Sequence, residues 1–121
     1  MTLIHLALRQ AITSSCRHRV GAVIAAGSRV LAAAPNRHRN SPTVDFRHAT
    51  FHAEEATLRR VRYPSGATIY VARVSAVGMP AMARPCSRCQ KALMAAGIVR
   101  AYYTEGDGKV GILDLVSASV Q

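Results

Sequence analysis

The chain has 121 residues, half of them hydrophobic, which fits one domain spanning 1–121 with a real core and excludes a disordered chain. No apolar run reaches the ~18 residues of a membrane span, and the start, MTLIHLALRQAI, lacks a basic leader and holds Arg9 and Gln10 inside its apolar pattern, so neither membrane nor signal peptide is expected and the cytoplasm is. The net charge of +10 favours phosphate-bearing partners, whether a nucleotide or a nucleic acid, although basic residues scattered along the chain equally fit a GC-rich coding sequence.

Ile4, Ala7, Leu8, Ala11 and Ile12 recur at helical spacing and predict an amphipathic first helix. Val20 to Ala25 and Arg29 to Ala34 are short runs about the turn signal Gly27-Ser28, which reads as a hairpin ended by Pro35. Asn36 to Ala49 is polar and basic and reads as a loop. A helix is expected from about His52 to Arg62, stopped by YPSG, then a third strand over Ala67 to Val74. SAVGMPAMA reads as a loop. CSRCQKALMAAG places Cys89, Ala92, Leu93 and Ala96 on one stripe of a helix closed by Gly97. IVRAYYT is a fourth strand and VGIL a fifth. The EGDGK turn between them is too short for a parallel crossover, so the fifth strand runs antiparallel to the fourth. DLVSASVQ closes the chain with about one helical turn. The order predicts an α/β fold, an α/β/α sandwich around a five-stranded mixed sheet.

Two stretches carry chemistry. RPCSRC puts Cys86 and Cys89 two residues apart at a helix start, where the helix dipole favours thiolate, the form that binds zinc. With three cysteines in all, an odd number, a metal or redox motif is favoured over a disulfide framework. Two thiolates do not complete a tetrahedral site, and His52, opening the other central helix, supplies a third donor. Three protein ligands leave one position open for water, as in catalytic rather than structural zinc. Zinc lowers the pKa of that water toward about 7. Glu54, two residues past His52, reaches the water without binding the metal and serves as general acid/base. His52-Ala53-Glu54 with Pro85-Cys86-Ser87-Arg88-Cys89 matches the H-x-E … P-C-x-x-C signature of zinc deaminases.

With these motifs the sequence resembles the cytidine/deoxycytidylate deaminase superfamily over nearly its whole length. SSCRHRVGAVI looks like the first-strand segment of bacterial and phage deoxycytidylate deaminases, and AGIVRAYYT like the strand after their cysteine helix. The resemblance implies a five-stranded α/β/α fold, homo-oligomers, a Zn2+ cofactor and hydrolytic deamination at C4 of a cytosine ring. It gives Asn36 a substrate contact, though Ala34-Pro35 replaces the usual Gly-Tyr before it; a plain turn residue is the other reading. The chain departs from the family in three further places. Only a short basic loop precedes the H-x-E, so no second zinc is expected. SAVGMPAMAR lengthens the junction that is tight in tRNA adenosine deaminases. An antiparallel fifth strand matches free cytidine deaminases rather than the tRNA and deoxycytidylate branches.

Arg37, Arg39 and Arg84 flank the expected pocket as phosphate contacts or as solvated charges. The backbone N–H of Ala53 or Cys86 is a donor for the ring carbonyl. Cys16 reads as a small apolar residue, Glu55 as a solvent-facing or capping one, and of Tyr102 and Tyr103 one turns to the core. The leading expectation is deamination of a deoxycytidine nucleotide. One alternative is a deaminase of cytosine or adenine in single-stranded DNA or RNA, favoured by charge but lacking an aromatic platform. Another is a non-catalytic zinc module that binds nucleic acid, which intact Glu54 argues against.

Overall fold

A computed structural model describes residues 2–38 and 50–115. Arg39 and the turn expected near the C-terminus lie outside the described residues. In chain order the elements are α1 (Leu3–Ile12), β1 (Arg19–Ala26), β2 (Arg29–Pro35), β3 (Arg37–His38), β4 (Thr50–Phe51), α2 (Ala53–Leu58), β5 (Thr68–Val74), β6 (Pro80–Ala81), α3 (Ser87–Ala95), β7 (Arg100–Thr104) and β8 (Val110–Asp114).

The main sheet runs β2-β1-β5-β7-β8, an open mixed sheet. β5 and β7 are parallel, joined by the α3 crossover; every other pair is antiparallel, including β7 with β8. The five expected strands and the antiparallel fifth are all present. Two readings of the loops need correction. β6 forms a two-residue sixth strand against Arg73 and Val74, because Gly78 turns SAVGMPAMA back on itself at a φ of 85°. Arg37 and His38, inside the segment read as a loop, pair with Thr50 and Phe51, just past it, as β3 and β4, a separate two-stranded ribbon. The helix expected to reach Arg62 ends at Leu58; the next turns close through Arg60 N–H to Thr57 O and Val61 N–H to Leu58 O, tighter i→i−3 bonds.

Side-chain alternation along the strands builds two layers. Val23 and Ala72 face α1 and bury against Ala7. Ala22, Ile24, Ile69, Val71, Ala101 and Tyr103 face the other way and bury against Ala53, Leu93 and Ile98. Tyr103 thus turns to this core, while Tyr102 stacks on Tyr70 on the α1 side, ring centroids 5.1 Å apart. Ile12, placed on the α1 stripe from spacing, is 59% exposed. The helix touches the sheet through Ala7 and Ala11, one turn apart, and the next residue points about 100° away from that contact. No helix among the described residues is long and apolar enough to cross a membrane.

The topology gathers several chain segments at one edge of the sheet. Arg19, opening β1, pairs with Val74 at the end of β5, and Pro35, closing β2, pairs with Gly21. α3 leaves from the end of β5 and runs back along the sheet to Gly97. There a φ of 87° and the Ile98 N–H to Leu93 O bond form the expected glycine stop. The carboxyl end of a parallel strand pair is where ligand sites gather in open α/β sheets.

α1 approaches β1 so closely that a Cβ on Gly21 would overlap the backbone at Ala7 and Ala11. Gly21→Ala is expected to cost about 1–3 kcal/mol by forcing the helix off the sheet. Urea unfolding checks this: the midpoint falls with the slope unchanged, and an unchanged midpoint contradicts the close seating.

Candidate metal centre and cavity

His52 is the N-cap of α2, and Cys86 is the N-cap of α3. Cys89 lies three residues on, on the inward stripe of α3, and is fully buried. The two helix starts bring these side chains together. His52 Nδ1 is 3.1 Å from Cys89 Sγ and 3.7 Å from Cys86 Sγ, and all three donor atoms lie within 4.8 Å of one another. Bond lengths of about 2.3 Å to sulfur and 2.0 Å to nitrogen in a tetrahedral zinc site separate such donors by about 3.6 Å. The observed spacings bracket that value, so the donor set fits zinc in both chemistry and reach. Among the described residues no other cluster of this kind forms, and Cys16 is buried apart from it.

Glu54 follows His52 into the first turn of α2 and is 5% exposed. Burial is the main force raising its pKa, with the Glu55 charge adding to it; its own backbone, a hydrogen bond from Cys89 and the Arg88 charge pull the other way. Burial also pushes the Cys89 thiol far up, with the Glu54 charge second. Glu55 accepts the backbone N–H of His52 at 3.3 Å, the expected capping role, and also pairs with Arg88.

A cavity of about 300 Å³ opens beside the donors. Its wall holds His52, Cys86, Glu54, Ala53, Asn36 and Arg84, all expected at the site. Arg37 is exposed on β3 and does not line it. The Asn36 side chain is largely committed to the fold: Oδ1 accepts from Ser14 Oγ at 2.6 Å and from the Val20 N–H at 3.0 Å, and Nδ2 donates to His18 O at 2.7 Å. Asn36 is therefore a structural pin at the sheet edge that also faces the cavity.

Four wall residues escaped the sequence reading: His18, Val20, Met82 and Ala83. The signal for His18 was topological. It immediately precedes β1, whose start lies at the same edge as the end of β5. Met82 and Ala83 belong to the lengthened junction before Pro85. Behind His18 stands Arg73, its Nη2 3.2 Å from His18 Nδ1.

A family model for the cytidine and deoxycytidylate deaminase zinc-binding region matches residues 1–105. The chain belongs to this family. It is a zinc-dependent hydrolytic deaminase by that membership, and the donor set suits the metal. No curated protein matches the sequence. Among solved structures, the deaminase is similar to the dCMP deaminase of cyanophage S-TIM5, at 24% identity over 88% of this chain and 82% of that one, with a TM-score of 0.65. It is similar in fold to the cytidine deaminase of Burkholderia pseudomallei, at 18% identity, 97% and 95% coverage and a TM-score of 0.72. A structure from work on tRNA:A34 deaminases, which edit the wobble position of transfer RNA, aligns at 28% identity over 84% of this chain and 72% of that one, with a TM-score of 0.56.

A buried thiol held protonated must lose its proton to bind zinc, so zinc affinity rises with pH. With Cys89 contributing one proton, the zinc Kd of the metal-free deaminase should fall at least about tenfold per pH unit between pH 6 and 8. Competition against a chelator of known pH dependence measures this. A pH-independent Kd contradicts the assignment of Cys89 as a ligand.

Proposed function

We propose that the deaminase hydrolyses the exocyclic amine of a cytosine ring, with a deoxycytidine nucleotide as its substrate and the deoxyuridine nucleotide and ammonia as products. The observation that carries this reading is Glu54: a buried carboxyl group in the wall of the cavity that the zinc donors His52 and Cys86 also line. His52, Cys86 and Cys89 would hold the metal. Bound zinc supplies Lewis acidity, lowering the pKa of a water from about 15.7 toward about 7.

The protein's own groups do the rest. The Glu54 carboxylate takes one proton from the attacking water and delivers it to ring N3 as the C4–O bond forms, then takes the proton of the new C4 hydroxyl and delivers it to the amine as the C4–N bond breaks and ammonia leaves. Burial raises its pKa, which favours holding each proton on Oε between pick-up and delivery. Asn36 holds the sheet edge that forms the opposite wall. The N–H of Ala53, in the first turn of α2 where no intrahelical acceptor exists, is available to the ring carbonyl.

The phosphate assignment rests on the basic part of the wall. Arg84 and His18 both line the cavity, and Arg73 backs His18. The antiparallel β8, which the family resemblance links to free cytidine deaminases, is the observation on the side of an unphosphorylated nucleoside. The +10 charge and the likeness to a tRNA:A34 deaminase stand on the side of a nucleic-acid substrate.

Ammonia release from a panel of cytidine, deoxycytidine, CMP, dCMP and single-stranded oligonucleotides separates these readings. Turnover of dCMP that is fastest in the panel and nearly independent of salt is the expected result. Activity only on oligonucleotides, falling steeply with salt, would overturn it. Glu54→Gln is expected to lower kcat by at least about 10²–10⁴-fold while zinc stays bound. Wild-type turnover in that variant refutes the proton-transfer role.

A further inference from the structure

The two adjacent glutamates of His52-Ala53-Glu54-Glu55 point to different jobs. Glu54 is turned into the cavity. Glu55 is turned toward α3, and one of its oxygens, Oε1, is shared: it accepts the backbone N–H of His52 at 3.3 Å and Arg88 Nη2 at 2.9 Å. Arg88 stands between the two cysteines, in Cys86-Ser87-Arg88-Cys89. A single carboxylate oxygen therefore ties the backbone of the histidine donor to the turn that carries both sulfur donors. These segments lie 33 residues apart in the chain at the Glu55–Arg88 bond and belong to different helices. Among the described residues Arg88 Nε is buried without a hydrogen-bond partner, and the bond from Nη2 to Glu55 holds the guanidinium.

We propose that Glu55 and Arg88 form a clasp that sets the spacing of the zinc donors before the metal arrives. The proposal rests on the reading of His52, Cys86 and Cys89 as the ligands. Two thiol groups and an imidazole on separate helices have no covalent reason to stay within zinc-binding reach. The clasp supplies a mechanical one, and the Arg88 cation offsets the negative charge that two thiolates bring together. Glu55 and Arg88 are positioning residues: they touch neither substrate nor reacting atoms. Their side chains are 23% and 40% exposed. An ordinary surface ion pair of that exposure would matter little to folding. A partner that orients metal ligands typically changes metal affinity by about 10–100-fold. That contrast makes the two accounts separable.

The experiment is a zinc titration of the full chain, stripped of metal, against a chromophoric chelator, for wild type, Arg88→Met, Glu55→Gln and the double variant. Melting of each metal-free protein is recorded alongside. The clasp predicts that each single variant loses about 10–100-fold in zinc affinity, that the double variant loses no more than the worse single one, and that the metal-free melting temperatures stay together. Arg88→Lys, which keeps the charge but not the planar fork, should recover part of the loss. Zinc affinities within about twofold of wild type in both single variants overturn the clasp, as do losses that multiply in the double variant. A drop in metal-free melting that accounts for the affinity loss also overturns it. A wild-type chain that binds no zinc defeats the ligand assignment itself, and the clasp with it. None of these readouts depends on which nucleotide is deaminated, so failure of the clasp and failure of the substrate assignment are distinct.

Discussion

His52 Nδ1 and Cys89 Sγ stand 3.1 Å apart although 37 residues separate them in the chain. That approach is a topological product. A parallel pair, β5 and β7, needs a crossover helix, and the crossover makes α3 begin at the edge where β5 ends. α2 precedes β5 and must bring the chain back to the opposite edge, so it too begins where β5 ends. Two helix starts meet there, and each contributes donors through its N-cap or first turn. The cavity, the buried carboxyl group and the basic wall are all arranged about this meeting.

The same arrangement creates an electrostatic problem that a metal resolves. Two thiols and a buried carboxyl group face one another, and burial opposes the charged form of both Cys89 and Glu54. Without a cation, burial favours the protonated forms of Cys89 and Glu54. A divalent ion displaces the thiol proton, and metal affinity and proton release become one equilibrium. Arg88 is a built-in positive charge that acts on Glu54, and its bond to Glu55 ties it to the first turn of α2.

Much of this was legible from the sequence because the informative signals were local. Strand alternation, Gly27 and Gly97 as turn and stop, and the short EGDGK turn fixed the order of elements and the antiparallel fifth strand. The site was legible for a different reason: H-x-E and P-C-x-x-C each mean little, and together they identify a donor set. What escaped depends on contacts between distant segments. The exposure of Ile12 follows from how closely α1 seats on Gly21. The capping role of Glu55 could be read from its position one turn after His52, but its pairing with Arg88 needs both helices in place. Asn36 has partners in three other residues, Ser14, His18 and Val20, none predictable from its own neighbourhood. Arg37 and Arg84 looked equivalent as phosphate contacts, and only the path of β3 separates them.

In the proposed site, two helix starts present one nitrogen and two sulfur donors to zinc and leave a coordination position free of protein. X-ray absorption at the zinc edge of the loaded deaminase measures this directly. The expected result is two sulfur neighbours at about 2.3 Å and two nitrogen or oxygen neighbours at about 2.0 Å, one of them exchangeable with solvent. Three or four sulfur neighbours, or a fourth protein ligand closing the ion, would contradict it.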